Sequence, residues 1–173
     1  MTFHWYHVMD DDGETPMSRA TRSGHAAIIS LMLQQEKEDS PQNGAGGSLL
    51  ERAAYWGLEK AVDKLLSEGA DPGQRNQRGD TPLHTAVRRG HLEAARALIE
   101  NGAAIDETND LGMTPLHWVA LNGRRDMAEL LLSCGAEPNP RDCATGGLTP
   151  LAVAELMGYD DLAQQMGDKG GTY

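Results

Sequence analysis

The hexapeptide Gly79-Asp80-Thr81-Pro82-Leu83-His84 returns 33 residues later as Gly112-Met113-Thr114-Pro115-Leu116-His117, and more loosely as Gly147-Leu148-Thr149-Pro150-Leu151-Ala152. Two weaker copies stand upstream at the same 33-residue interval, Gly46-Gly47-Ser48-Leu49-Leu50-Glu51 and Gly13-Glu14-Thr15-Pro16-Met17-Ser18. Self-similarity at this period marks an array of small units. Each unit is too short to bury a hydrophobic face alone and must stack on its neighbours.

Local chemistry predicts two short helices per unit. Thr81 is a good N-cap, and Pro82 fits the first helical position, where a missing N–H costs nothing. Gly90 follows Arg88-Arg89 where a left-handed residue ends a helix, and Gly24, Gly57, Gly123 and Gly158 hold the same place. A second helix is read from Ala94, Ala95, Leu98 and Ile99, from Ala61, Val62, Leu65 and Leu66, and from Met127, Ala128, Leu131 and Leu132. Gly-Ala at 69–70, 102–103 and 135–136 closes it. Aromatic residues make up 5% of the chain, with a single Phe. The core must therefore come from aliphatic and Ala side chains, which favours closely packed helices.

This pattern resembles the ankyrin repeat, a 33-residue unit with Thr-Pro-Leu-His near its start and Gly-Ala-Asp near its end. The resemblance covers roughly residues 10–167 and is strongest over 79–111 and 112–146. It implies an all-α solenoid of about five stacked helix-turn-helix units with β-turn fingers. The chain divides into an aromatic and acidic arm (1–12), a degenerate first repeat (13–45), repeats at 46–78, 79–111 and 112–146, and a last repeat with cap and tail (147–173). Gln34-Gln35 replaces the closing Gly-Ala of the first unit. Gln164-Gln165 and Gly167 read as the polar cap a linear stack needs. The two-residue insertion within 139–146 predicts an enlarged finger.

His84 and His117 stand beside Thr hydroxyls, yet the resemblance assigns them to locking the turn by hydrogen bonds to Thr and backbone groups. His25 and His91 lie on separate repeats, while His4 with His7 and Cys134 with Cys143 are local pairs only, so no metal is predicted. No phosphate loop, nucleophile elbow or zinc helix motif occurs, and no cofactor is expected. A net charge of −11 argues against nucleic acid and anionic membranes as partners. No apolar run approaches the roughly 18 residues of a spanning helix, and the opening residues lack a secretion signal. Two cysteines fit a reducing compartment, which predicts a cytoplasmic or nuclear protein.

The resemblance also implies that the variable positions, on finger tips and at the ends of first helices, form a concave binding surface. The helix ends are Arg22-Ser23, Tyr55-Trp56, Arg88-Arg89, Leu121-Asn122 and Leu156-Met157. The tips are Asp11, Asp12 and Glu14, then Gln77, Arg78 and Asp80, then Asp110, Leu111 and Met113, then Thr145, Gly146 and Leu148. An acidic end, a basic middle at Arg78, Arg88 and Arg89, and an apolar half at Leu111, Met113, Leu121, Leu148, Leu156 and Met157 result. A contiguous apolar strip that the fold does not need marks a binding surface. The alternative is that neighbouring fingers, or the chain end, bury Leu111, Met113 and Leu148. An adjacent pair such as Tyr55-Trp56 cannot place both rings in the core. Trp118, one turn before Leu121-Asn122, extends the surface, and Arg88 is expected to face solvent.

The leading expectation is a non-catalytic protein-interaction module, monomeric when unbound, that binds a partner protein in its groove. One alternative is an enzyme or small-ligand binder whose groove is closed by the N-terminal arm, with His4, His7, Asp80 or Glu14 as acid or base. Another is a regulatory fragment of a longer protein, although the start at Met1 and the polar cap favour a complete chain. Phe3, Trp5 and Tyr6 predict an extended arm, packed on Ile28, Ile29 and Met32 or reaching toward Tyr55 and Trp56.

Overall fold

The computed structural model describes residues 48–141 and 146–172, together with Arg19. Every first helix in this span opens on a hydroxyl. Ser48 Oγ accepts from the Glu51 N–H at 3.1 Å and starts α1 (Leu49–Tyr55). Thr81, in extended conformation, starts α3 (Pro82–Arg89). Thr114 starts α5 (Pro115–Asn122) and Thr149 starts α7 (Pro150–Leu156). At Thr81 and Thr114 the partner is a histidine, which completes a reciprocal cap usually made by Glu or Gln.

Gly90 and Gly123 end α3 and α5 in the left-handed region, at φ 82° and 67°. The chain then turns at once into the second helices, α2 (Glu59–Ser67), α4 (Leu92–Glu100), α6 (Arg125–Ser133) and α8 (Asp160–Asp168). The first three close on Gly-Ala, with the Ala70, Ala103 and Ala136 N–H groups reaching back to Leu65, Leu98 and Leu131 carbonyls at 2.9–3.0 Å.

Among the described residues no helix is longer than nine residues. Isolated helices below about 12–15 residues are marginal in water, so these depend on packing. First helices stack on first helices (α1, α3, α5, α7) and second on second, with the first-helix layer the more closely packed. Leu50, Leu83, Leu98, Leu116, Leu131 and Leu162 are fully buried, and Ala54, Ala86, Ala95, Ala120, Ala128 and Ala154 fill the narrow spaces between helices.

Four helix pairs and no strand occur among the described residues, in keeping with the expected all-α stack. Apart from Arg19, the first repeat at 13–45 lies outside them, as do the arm and residues 142–145 of the insertion. The polar cap differs from its reading in one respect. Gln164 is exposed, but Gln165 Nε2 points back at the preceding repeat and donates to the Glu129 carboxylate at 3.0 Å. The chain end folds across to the preceding loop, where Asn139 Nδ2 donates to the Gly170 carbonyl at 3.0 Å.

Candidate functional site

Two asparagines that the sequence reading passed over build the fingers. Asn76 Oδ1 accepts from the N–H groups of Arg78 (2.9 Å) and Asp80 (3.0 Å), and Asn109, 33 residues on, does the same for Leu111 (3.0 Å) and Met113 (3.1 Å). Asn tolerates this role because its short amide reaches its own backbone two residues on. The fingers are then tied together. Asn109 Nδ2 donates to Asp80 Oδ1 at 2.8 Å, and the Asp110 N–H donates to the Arg78 carbonyl at 3.1 Å. The signal was present as a second 33-residue echo.

His84 joins repeats as well as locking its own turn. Its Nδ1 accepts from the Thr81 N–H at 3.2 Å, which leaves the proton on Nε2 to be donated to the Met113 carbonyl at 3.0 Å. His117 repeats the arrangement, with Thr114 on one side and the Leu148 carbonyl at 3.3 Å on the other. Burial holds the His84 pKa below its ordinary 6.5, against a smaller upward pull from the Met113 carbonyl. Both histidines serve the fold.

Between these fingers and helices α3 and α5 lies a cavity of about 430 Å³ with largely apolar walls. Four of the basic and apolar residues singled out in the sequence line it, namely Arg78, Arg88, Leu111 and Trp118. Asp80, Asn109 and Asp110 complete the lining. Leu111 is 52% exposed. The Arg88 guanidinium lies 5.5 Å from the Trp118 ring centroid, a cation–π distance, and 3.8 Å from Asp80 Oδ2.

A second cluster sits on the preceding repeat. Tyr55 and Trp56 meet edge to face at 5.2 Å, both half-buried, and the Arg89 guanidinium lies 3.8 Å from the Tyr55 ring centroid. His91 Nε2 donates to the Tyr55 carbonyl at 3.0 Å and fixes that helix end. Leu156 and Met157, at the end of α7, are 75% and 48% exposed. Leu121 is half-buried against the core, and Asn122 Nδ2 returns to the Trp118 carbonyl of its own helix at 2.7 Å.

Three expectations require correction. Met113 offers no side chain to a partner, because it is 2% exposed and the close pairing of the fingers turns it inward. Leu148 is half-buried against the core, in line with the alternative that the fingers shelter it. Arg88 does not face solvent freely. Its side chain is 24% exposed and sits over the carboxylate of Asp80, itself 1% exposed. Asp80 is held by Asn109 and Arg88, and His4, His7 and Glu14 lie outside the described residues.

Glu51 is the residue that sequence reading missed most plainly. It occupies the place of His84 one repeat earlier, is buried, and accepts a hydrogen bond from Asn76 Nδ2. Burial raises its pKa above the ordinary 4.5, helped by the charge on Asp80 and opposed mainly by the Asn76 hydrogen bond. Among the described residues no three His, Cys, Asp or Glu side chains converge to hold a metal ion, and no helix is long and apolar enough to cross a membrane.

Stacked helix pairs, hydroxyl-capped first helices and paired asparagine-built fingers define a class of repeat solenoid. A family model described as ankyrin repeats (three copies) matches residues 4–76 and 50–142. The chain belongs to the ankyrin-repeat family. Repeats of this family are generally non-catalytic and serve in protein–protein interaction. No curated protein matches the chain.

Proposed function

We propose that this chain is a non-catalytic interaction module that binds a partner protein through the face formed by its first helices and fingers. The observation that carries this reading is the cavity between the fingers at 76–80 and 109–113, where three successive repeats contribute Arg78, Arg88, Leu111 and Trp118 to one recess. Trp and Arg dominate interface hot spots, and a rigid recess with an exposed Leu at its rim is a preformed anchor site. Tyr55, Trp56 and Arg89 supply a second contact area, with Leu121, Asn122, Leu156 and Met157 as its outer extension. The unbound chain acts as a monomer in the cytoplasm or nucleus, where an exposed thiol such as Cys134 stays reduced.

The test is capture from cell extract with three proteins: wild type, Leu111→Glu/Trp118→Ala, and Glu93→Lys/Glu100→Lys on the second-helix layer. Partners retained by wild type and by the second-helix variant, and lost from the first variant with its helical circular dichroism intact, support the reading. Loss through the second-helix variant alone moves the interface to the opposite face.

A further inference from the structure

After α8 the chain first repeats the closing step of the earlier units and then departs from it. Gly170, left-handed at φ 96°, and Gly171 stand where Gly-Ala stands in the preceding repeats, and the Gly171 N–H reaches back to the Met166 carbonyl at 2.8 Å. The following residue is caught by the repeat before. In the preceding unit the Glu137 N–H donates to the Asp106 carboxylate at 3.0 Å, and here the Thr172 N–H donates likewise to Asn139 Oδ1. Asn139 holds more than Asp106 does. Its Oδ1 also accepts from the Thr172 hydroxyl at 3.1 Å and its Nδ2 donates to the Gly170 carbonyl at 3.0 Å, so one amide grips both ends of the 170–172 segment. Gly171 is fitted to this docking, because a Cβ there would stand 2.8 Å from the Met166 carbonyl oxygen, too close for any side chain.

The segment also reaches the start of α7. The hydroxyls of Thr81 and Thr114 meet the histidine three residues on, whose Nε2 bonds the next finger. In α7 that position is Ala152, and the buried Thr149 hydroxyl donates instead to the Thr172 carbonyl. Among the described residues α7 and α8 have helices packed on one side only, α5 and α6. Units at the end of a stack open first, since they have half the neighbour contacts of an internal unit. We propose that residues 170–172 form a clasp that ties the start of α7 to the end of α8 and to the loop at 139, and that this clasp decides whether the pair opens with the stack or alone. When the clasp is docked, α7 and α8 share the stability of the preceding repeats. Once it is released, they open as a separate unit while α3 to α6 stay folded.

Native-state amide hydrogen exchange of the full chain tests this. Asn139→Ala should speed exchange over 151–168 about tenfold and leave 83–100 unchanged. Gly171→Ala and removal of 170–173 should do the same by other routes. Asn139→Asp keeps the acceptor for Thr172 and loses the donor to Gly170, so its effect should fall between wild type and Asn139→Ala. Gly167→Ala is the control on α8, where an added Cβ finds only ordinary contact with Leu151 at 3.6 Å, and it should show no rise. Unchanged exchange in Asn139→Ala and Gly171→Ala overturns the clasp. An equal rise over 83–100 overturns it too, because the whole stack would then open as one. A rise in Asn139→Ala that neither Gly171→Ala nor the truncation shares would place the effect in the loop and also overturns it.

Discussion

At position 51 the chain places an acid where the next two repeats place the turn-locking histidine. Ser48 can still cap the helix, but the side chain three residues on now carries a buried negative charge beside Asp80. A carboxyl whose pKa is raised by folding contributes stability that is complete below its unfolded value of 4.5 and is lost as pH rises through the folded value. Glu51→Gln keeps the acceptor for Asn76 and removes the charge. It should raise Tm at pH 7 by about 2–4 °C, and the gain should vanish below about pH 4.5 in a pH series of thermal melts. A lower Tm at pH 7 would mean that the charge is stabilising. Arg88 is the second residue-scale test. Arg88→Ala strips a buried carboxylate of its cation and should cost about 1–3 kcal/mol in urea denaturation, with Asp80→Asn in the same chain recovering part of the loss. The cap within Thr-Pro-Leu-His was legible because Thr81 and His84 bond across three residues, whereas the bond from His84 to Met113, 29 residues on, was not. That Asp80 sits under Arg88 was not, since helix periodicity gives the face of Arg88 and nothing about the finger folded beneath it.

Each helix end was legible from its glycine, but what lies above the glycine was not. A Cβ at Gly90 would collide with the Arg124 guanidinium, which donates to the Arg89 carbonyl at 3.2 Å. His91 lies in the same way over Gly57 and Tyr159 over Gly123. The residue that follows Gly90, Gly123 and Gly158 thus packs on the glycine of the preceding repeat, a contact 34 or 36 residues long with no local signature. Gly102 gives the comparison, being left-handed at φ 87° with open space around it. Gly102→Ala should cost about 1 kcal/mol from backbone strain alone. Gly90→Ala should cost more, and Arg124→Ala in the same chain should bring it down to the Gly102→Ala value, measured by urea denaturation. Equal costs for the two single variants would mean that Arg124 does not constrain position 90.

In the whole molecule, stability is a sum of contacts between neighbouring repeats, and the buried leucines carry most of it. Leu98→Ala and Leu131→Ala, both in fully buried positions, should each cost about 2–5 kcal/mol in denaturant unfolding. The fold was readable at this scale because one pattern is written repeatedly at a fixed interval. The candidate site was readable only in part. Position within the repeat singled out Arg78, Leu111 and Trp118, which line one recess, whereas the inward turn of Met113 depends on how two fingers pair, which a single repeat does not encode. The proposed function puts partners on the first helices and fingers. Hydrogen–deuterium exchange of the full chain, free and bound to a captured partner, tests it most directly. Protection gained over 78–89 and 109–118, with 93–100 and 125–133 unchanged, is the predicted result; protection confined to 93–100 and 125–133 would contradict it.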